Sequence, residues 1–292
     1  MIEIDDGYLI AGSVAAGDSI KGYMVVISSG GTILREKNYS GYKELEFRNV
    51  YKDTDGNLIL TGYGKNDPGN REVILFKTTT ELDLKWMRRF PWSGNNVGEA
   101  VIEHQERYHI ITTTTDVNSP SLSQIRMLNT NTDGRGPTYN LISTTYLSGK
   151  DIAVNDVSGN MYILGNLEDN SSRENNIYLA ELVLTGQDYS STSLGNSRTI
   201  TNPDYRAASF VTANDNNLAI GGLQINDNNI LFLLVDNSFL PLIQKIYGSK
   251  STQASQSIIH TTDGGFALTG SVDMVDRKTS MLLKIDSEGE LK

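Results

Sequence analysis

Cysteine is absent from this 292-residue chain, and long apolar runs and a surplus of basic residues are missing as well. Without cysteine there can be no disulfide framework, no zinc–thiolate site and no thiol nucleophile. The longest purely apolar run, ILFLLV at 230–235, is far shorter than the roughly 20 residues of a membrane helix. A net charge of −10 and a pI near 4.8 exclude nucleic acid and anionic membrane surfaces as expected partners.

The first residues, MIEIDDGYLI, have neither a basic segment nor an apolar signal core. No signal peptide is therefore expected within this chain, and any export signal would have been removed or never present.

One phrase, a turn followed by an apolar run that ends at a small residue, recurs six times along the chain. It reads IDDGYLIAGS at 4–13 and HTTDGGFALTGS at 260–271. The six copies close at Gly12, Gly62, Thr113, Gly165, Gly222 and Gly270, which gives steps of 50, 51, 52, 57 and 48 residues. This period predicts a single domain over 1–292, with repeats at about 1–45, 46–95, 96–148, 149–203, 204–251 and 252–292.

Each repeat is predicted to contain four short strands, a to d. In the second repeat these are 46–53, 57–62, 72–78 and 84–90. Asp-Gly turns between apolar runs favour antiparallel hairpins, and nearly continuous apolar runs such as NLILTG require cover on both faces. The sequence therefore predicts an all-β, six-bladed β-propeller of four-stranded antiparallel blades.

Two other all-β folds fit the repeat less well. A parallel β-helix has shorter coils, and separate β-sandwiches would alternate apolar with polar residues. No stretch carries a helical period. The final GELK at 289–292 stops where strand d of the sixth repeat should begin, so the last blade is expected to be incomplete and the chain trimmed.

The repeats resemble a known family. DGGFALTGS (263–271) followed by MLLKIDSEGELK (281–292), and DGNLILTG (55–62) followed by VILFKTTTELDLKW (73–86), are similar to the tandem DGG-type propeller repeats of secreted proteins and surface lipoproteins common in Bacteroidetes. The third and fourth repeats lack the DGG. The resemblance implies an extracellular or outer-membrane-surface location, with a possible lipid anchor lost from this chain.

The d-to-a and b-to-c loops are longer and more varied than the turns on the opposite face, and function usually lies on loops held by a rigid scaffold. Four aromatic residues, one per d-to-a loop, could form a platform for a sugar ring or a peptide side chain, or could instead cap the core beneath them. They are Tyr42, Trp92, Tyr146 and Tyr205.

Four charged residues begin strand a in their repeats and are expected to approach the axis of the propeller. They could orient a polar ligand, or be solvated or paired across the axis. They are Glu99, Lys150, Asp151 and Arg206.

No metal site and no cofactor is expected. The three histidines, His104, His109 and His260, belong to the third and sixth repeats and cannot converge. NTNTDGRGPTYN (129–140) resembles a calcium loop only in its first half, because its twelfth residue is Asn140 where a glutamate is needed.

Sialidase SxDxGxTW boxes and a G-x-S-x-G elbow are also absent. The sequence therefore favours a non-enzymatic binding or scaffold propeller of the cell envelope or extracellular space, which engages a protein or glycan through the d-to-a and b-to-c loops. Two alternatives stay open: a carbohydrate-active hydrolase or lyase with carboxylates at the channel mouth, and an accessory subunit of an outer-membrane assembly. The oligomeric state is not predicted.

Overall fold

The chain is built from β-strands in a computed structural model. The structure describes residues 1–66, 68–116, 122–143, 147–155, 159–169, 174–185, 191–202, 204–213, 216–248, 252–273 and 278–292. No α-helix occurs among them, as the sequence predicts.

In the described part of the chain, no helix is long and apolar enough to cross a membrane.

The strands group into two compact units. Unit 1 comprises Met1–Gly149 and Leu184–Thr192, and unit 2 comprises Lys150–Val183 and Ser193–Lys292. The single domain over 1–292 stays a prediction.

The first eight strands form one sheet in unit 1, in the order β1-β2-β3-β5-β6-β7-β8 with β4 paired to β3. Among the described residues of this sheet, every pairing is antiparallel except one parallel bridge between Ile20 and Glu44, which joins β3 to β5. The strands are β1 (Ile2–Ile4), β2 (Gly7–Ala16), β3 (Ser19–Ile27), β4 (Ile33–Tyr39), β5 (Glu44–Lys52), β6 (Leu58–Lys65), β7 (Glu72–Thr78) and β8 (Leu84–Phe90).

The next sheets contain four consecutive strands each. Their orders are β12-β11-β10-β9, β13-β14-β15-β16 and β17-β18-β19-β20. The strands are β9 (Asn95–His104), β10 (Arg107–Thr115), β11 (Ser123–Asn131), β12 (Thr138–Ser143), β13 (Leu147–Val154), β14 (Met161–Asp169), β15 (Glu174–Thr185), β16 (Ser191–Ile200), β17 (Tyr205–Thr212), β18 (Leu218–Gln224), β19 (Asn229–Val235) and β20 (Pro241–Tyr247).

The last sheet has three described strands, β21 (Thr252–His260), β22 (Phe266–Asp273) and β23 (Lys278–Ile285). An isolated antiparallel bridge joins Ile285 to Leu291 beyond them. Sheets of four consecutive antiparallel strands are the blades of a β-propeller, so the all-β propeller class and the four-stranded blade are confirmed. The count of six blades is not, because the first eight strands share one sheet.

A β-bulge recurs in the first strand of four repeats. In β5 the partners step from Phe47↔Gly62 to Asn49↔Thr61 and leave Arg48 as the extra residue. The same step leaves Glu99, Ala208 and Gln256 as extra residues in β9, β17 and β21. A bulge bends its strand and redirects a side chain, so its position determines where strand a bends. The register also shows that Thr112, not Thr113, is the equivalent of Gly62 in the third repeat.

Side-chain oxygens in strand a, which in β5 and β17 come just after the bulge, join strand a of one blade to strand a of the next. The repeated bond runs from the next blade's backbone N–H to this oxygen. Its three described instances are Val101 N to Asn49 Oδ1 (3.2 Å), Phe210 N to Asp151 Oδ2 (3.0 Å) and Ile258 N to Ser209 Oγ (3.4 Å).

The hairpin turns follow the sequence where it contains Asp-Gly. Gly56 and Gly264 have φ of 77° and 80°, which glycine adopts without a Cβ clash. The third repeat lacks this glycine, and Gln105 and Glu106 both take positive φ, 50° and 60°, as a two-residue type I′ turn demands. The repeat therefore keeps its hairpin at the cost of backbone strain.

The inner strands are buried on both faces. β6 is buried from Leu58 to Gly64, and β7 from Val73 to Thr78. One unit 1 cluster packs Tyr39, Phe47 and Phe76 edge to face, with centroids 5.0–5.9 Å apart. These contacts hold the strands in fixed positions, and the strands in turn hold the loops that connect them.

Candidate functional site

The predicted aromatic platform is not one exposed surface. Tyr42 is buried in the unit 1 core with its ring against Gly64, where a Cβ would lie 2.5 Å from the ring, and burial raises the pKa of Tyr42 to about 12. Tyr205 is buried in the unit 2 core and its hydroxyl accepts a 2.7 Å hydrogen bond from Gln244 Nε2. Both rings therefore pack in cores, and Tyr146 lies outside the described residues.

Trp92 is the half-buried member of the predicted set. Its Nε1 donates to Thr114 Oγ1 (3.2 Å), which donates to Asn96 Oδ1 (2.9 Å). Asn96 Nδ2 in turn donates to the carbonyls of Trp92 and Gly94 at 3.1 and 3.0 Å. This closed network fixes the loop between β8 and β9 beside Asn95.

The predicted charged residues divide by exposure. Glu99 and Lys150 are half-buried and Arg206 is exposed, whereas Asp151 is buried and bonded entirely to protein. Glu99 occupies the bulge of β9. A ligand role for these residues and for the aromatic set stays a prediction.

Asp151 holds strand a of its blade to the next strand. Oδ1 accepts from Ile152 N–H (2.9 Å), and Oδ2 accepts from Ser209 Oγ (2.7 Å) and Phe210 N–H (3.0 Å). Burial raises the pKa of Asp151 to about 6, although these hydrogen bonds act in the opposite direction. The carboxyl therefore titrates within the range where most proteins are studied.

We predict that Asp151 makes the protein less stable as pH rises from about 4 to about 6. Its folded pKa lies above its usual 3.8, so the folded state binds the proton more tightly. The stabilisation is complete below pH 4 and is lost as pH passes 6, a change of about 3 kcal/mol at 1.36 kcal/mol per pKa unit. In urea unfolding, the free energy of unfolding of Asp151→Asn, relative to that of the wild type, should rise by that amount between pH 4 and pH 6. Parallel curves for the two proteins would contradict the prediction, and Asp133→Asn in an exposed turn is the control.

An open cleft of about 310 Å³ lies in unit 1, lined by Lys65, Arg71, Asn95 and Thr115. Lys65 ends β6, Arg71 precedes β7, Asn95 begins β9 and Thr115 ends β10. The cleft thus lies where a b-to-c loop meets a d-to-a loop, on the face favoured by the sequence. Its volume is at the lower end of the range for small-molecule sites.

Two carboxylates do not line this cleft but are linked to residues that do. Glu44 and Glu46 are two residues apart on β5, so they share a face and their Cα atoms are about 6.6 Å apart at 3.3 Å per residue. Glu44 Oε1 lies 3.0 Å from Lys65 Nζ. Glu46 accepts a hydrogen bond from Tyr63 Oη (3.1 Å), and its Oε1 lies 2.9 Å from Arg48 Nε in an ion pair. Both side chains keep about a fifth to a quarter of their surface exposed, 24% and 21%.

Each of the two glutamates is linked to a different residue of the cleft. Lys65 lines the cleft and holds Glu44, while Arg71 lines it and stacks on Tyr63, whose ring centroid is 4.3 Å from the guanidinium carbon. Burial, with the charge of Glu46, raises the pKa of Tyr63, so its phenol stays protonated and donates to Glu46.

Sequence reasoning named neither Glu44 nor Glu46. The signal was the alternation in KELEF at 43–47, where two acids two residues apart flank a buried leucine. Nothing in the sequence showed that Lys65 would pair with Glu44, or that Tyr63, on which Arg71 stacks, would donate to Glu46.

No group of three or more metal-ligating side chains comes together in the described part of the chain. His109 is buried, and burial lowers its pKa to about 4. Its Nδ1 contacts Asn129 Oδ1 at 2.8 Å, and its Nε2 contacts the His104 carbonyl at 3.1 Å. This histidine therefore serves the packing of its blade.

No protein-family model matches the chain, and a search of characterised proteins found no match. The family resemblance noted in the sequence stays a prediction.

Solved structures with the same fold do exist. A sialidase from Trypanosoma rangeli matches with a TM-score of 0.69 and 10% identity, over 96% of this chain and 52% of its own. An exo-β-1,3-galactanase from Phanerochaete chrysosporium matches at 0.58 and 10%, over 98% and 67%. A glucose dehydrogenase matches at 0.59 and 12%, over 95% and 94%. The chain thus spans about half the length of the sialidase.

These comparisons correct one prediction. The sequence was interpreted as that of a non-enzymatic protein, but the solved structures that share its fold include a galactanase and a sialidase, which are glycoside hydrolases. The sequence lacks a sialidase box and a nucleophile elbow, but a glycoside hydrolase can act through a pair of carboxylates without either motif. The fold is that of a β-propeller known to occur in carbohydrate-active enzymes.

Proposed function

We propose that the protein is a carbohydrate-active hydrolase that cleaves glycosidic bonds at the unit 1 cleft. The observation that carries the proposal is the pair Glu44 and Glu46, which shares one strand face. Glu44 pairs with Lys65 of the cleft of about 310 Å³, and Glu46 accepts from Tyr63, on which Arg71 of the cleft stacks. Glycoside hydrolysis needs two carboxyl groups, one to protonate the leaving oxygen and one to activate water or attack the sugar. The fold of the galactanase and the sialidase supports the same class.

Glu46 is held for such a role by its neighbours. Tyr63 donates a hydrogen bond to Oε2 of Glu46, and Arg48 forms an ion pair with Oε1. A carboxylate held by a hydrogen bond and an ion pair keeps its orientation while it takes a proton from water. Tyr63 does not act as the nucleophile itself, because only 2% of it is exposed and its pKa is raised.

The fold alone does not choose between hydrolysis and oxidation, since a glucose dehydrogenase shares it. The two adjacent carboxylates favour hydrolysis, because they supply its acid and base without a redox group. Trp92 and its hydrogen-bonded loop would flank a bound sugar at Asn95.

A substrate screen tests this function. The wild-type chain, incubated with neutral and acidic oligosaccharides and polysaccharides, should release reducing sugar. The double variant Glu44→Gln/Glu46→Gln should release none from the same substrates. Equal release by the two proteins, or none by either, would refute the proposal.

We also infer that the chain forms six blades and is exported, as the sequence suggests. The single parallel bridge between β3 and β5 is the only pairing that joins the first four described strands to the next four. If that bridge is counted as a contact between two blades, the eight strands divide into two sheets of four, and the chain then has six sheets in the order of its repeats.

A further inference from the structure

Arg71 is a cation held in one orientation at the cleft. Its guanidinium lies on the Tyr63 ring at 4.3 Å from the centroid. Its backbone is tied to β9 on both sides, since its N–H donates to Asn95 Oδ1 (3.1 Å) and its carbonyl accepts from Asn96 N–H (3.0 Å). A stacked, tethered arginine loses little entropy when it binds a ligand.

The charge of Arg71 is not neutralised by a carboxylate in the described part of the chain. Three other basic residues on the same blade have carboxylate partners: Lys65 with Glu44, Arg48 with Glu46, and Arg89 with Glu72. The whole chain has a net charge of −10. An arginine that lines a cleft and has no carboxylate partner among the described residues therefore marks a place where a ligand can supply the negative charge.

We infer that the cleft binds sugars that carry a carboxylate, such as uronic or nonulosonic acids, with Arg71 as the residue that recognises the acid group. The inference rests on the proposed function in taking the ligand to be a sugar. A guanidinium offers two parallel N–H groups that match a carboxylate, and such charge-assisted pairs are among the strongest hydrogen bonds in proteins. Asn95 and Thr115 supply an amide and a hydroxyl for sugar hydroxyls, and Lys65 adds a second cation.

Calorimetric titration tests the inference without requiring turnover. The probes are the methyl glycosides of glucuronate, galacturonate and N-acetylneuraminate, each beside its neutral counterpart, with glucose 6-sulfate as a different anion. We expect at least one acidic glycoside to bind at least ~10-fold more tightly than its neutral partner, the difference worth one charge-assisted bond. The preference should weaken as salt is raised. Equal affinity for acidic and neutral sugars, binding of none, or tighter binding of the sulfate would overturn it.

Two substitutions locate the recognition. Arg71→Gln should abolish the preference for the acidic sugar, and Arg71→Lys should retain only part of it, because lysine lacks the planar pair of donors. Arg88→Gln is the matched control, since Arg88 also stacks on an aromatic ring, Trp86 at 5.0 Å, but does not line the cleft. A preference that survives in Arg71→Gln would overturn the inference.

The two proposals fail separately. If acidic sugars bind with the expected preference and no glycoside is hydrolysed, only the hydrolase is refuted. If neutral sugars are hydrolysed and acidic ones are not preferred, only the substrate class is refuted.

Discussion

Replacing Lys77 with methionine is expected to lower the free energy of unfolding by about 3–5 kcal/mol, the usual cost of leaving one partner of a buried ion pair without the other. Lys77 Nζ lies 2.8 Å from Asp53 Oδ2, and the two side chains are 8% and 2% exposed. Tyr108 closes the cluster, because its hydroxyl accepts from Lys77 (3.0 Å) and donates to Asp53 (2.9 Å). Methionine preserves length and packing but leaves the carboxylate buried without its cation.

The effect should depend on pH in a defined direction. Burial opposes the charged form of Asp53, yet hydrogen bonds from Lys77, Asn57 and Tyr108 hold the pKa of Asp53 below its usual value. In the wild type this contribution is present above pH 3.8 and is lost as pH falls through the folded pKa. Without Lys77 the carboxylate prefers its proton, so Lys77→Met should be weakest at neutral pH and recover part of its deficit near pH 4.

Urea unfolding at pH 7 and pH 4 checks both statements. The double variant Asp53→Asn/Lys77→Met should regain most of the lost stability, because neither charge then remains buried alone. Lys37→Met is the matched control: Lys37 also lies 2.8 Å from its partner Asp83, but the pair is 40% and 73% exposed, and exposed pairs contribute less than about 1 kcal/mol. A loss below 1 kcal/mol for Lys77→Met would show that the cluster adds nothing to the fold.

The repeated sequence phrase was enough to predict the four-stranded blades, because strand length, turn chemistry and burial on both faces are properties of short stretches of sequence. The predicted strands 72–78 and 84–90 coincide with β7 and β8. The sequence could not show that β3 and β5 would share one sheet, because that depends on a single bridge between Ile20 and Glu44. Nor did it reveal the bulges, which left the third repeat one residue out of register at Thr113.

The site was less predictable than the fold, because burial decides what a side chain does. Tyr42 and Tyr205 were chosen as loop aromatics, but both rings are in cores. Asp151 was chosen as a charge near the axis, yet three protein hydrogen bonds account for it. The sequence nevertheless favoured the face formed by the d-to-a and b-to-c loops, and the cleft at Lys65 and Arg71 lies on that face. Longer, more varied loops on a rigid scaffold usually carry the function.

Replacing Glu46 with glutamine is expected to lower kcat about 100- to 10,000-fold, the usual contribution of a general acid or base. Glutamine keeps one oxygen that can accept from Tyr63 or Arg48, so the fold and sugar binding should persist. The loss should therefore fall on kcat with little change in KM. Glu44→Gln should lose activity on the same scale.

The pH profile and the leaving group then separate the two roles. The general base must be deprotonated, so its variant should lose the acidic limb of the kcat/KM profile. The general acid protonates the leaving oxygen, so its variant should recover on an aryl glycoside whose phenolate leaves without a proton. One of Glu44→Gln and Glu46→Gln should be rescued in this way and the other should not.

Glu36→Gln provides the control for both variants. Glu36 also accepts a hydrogen bond from a tyrosine hydroxyl, that of Tyr23, but it lies on β4, and no contact in the described part of the chain joins it to a cleft residue. A fall in activity for Glu46→Gln and Glu44→Gln but not for Glu36→Gln requires that the carboxylates on β5 act on the bond being broken. A kcat within threefold of the wild type in both β5 variants would remove the acid and the base together, and with them the case for hydrolysis at this cleft.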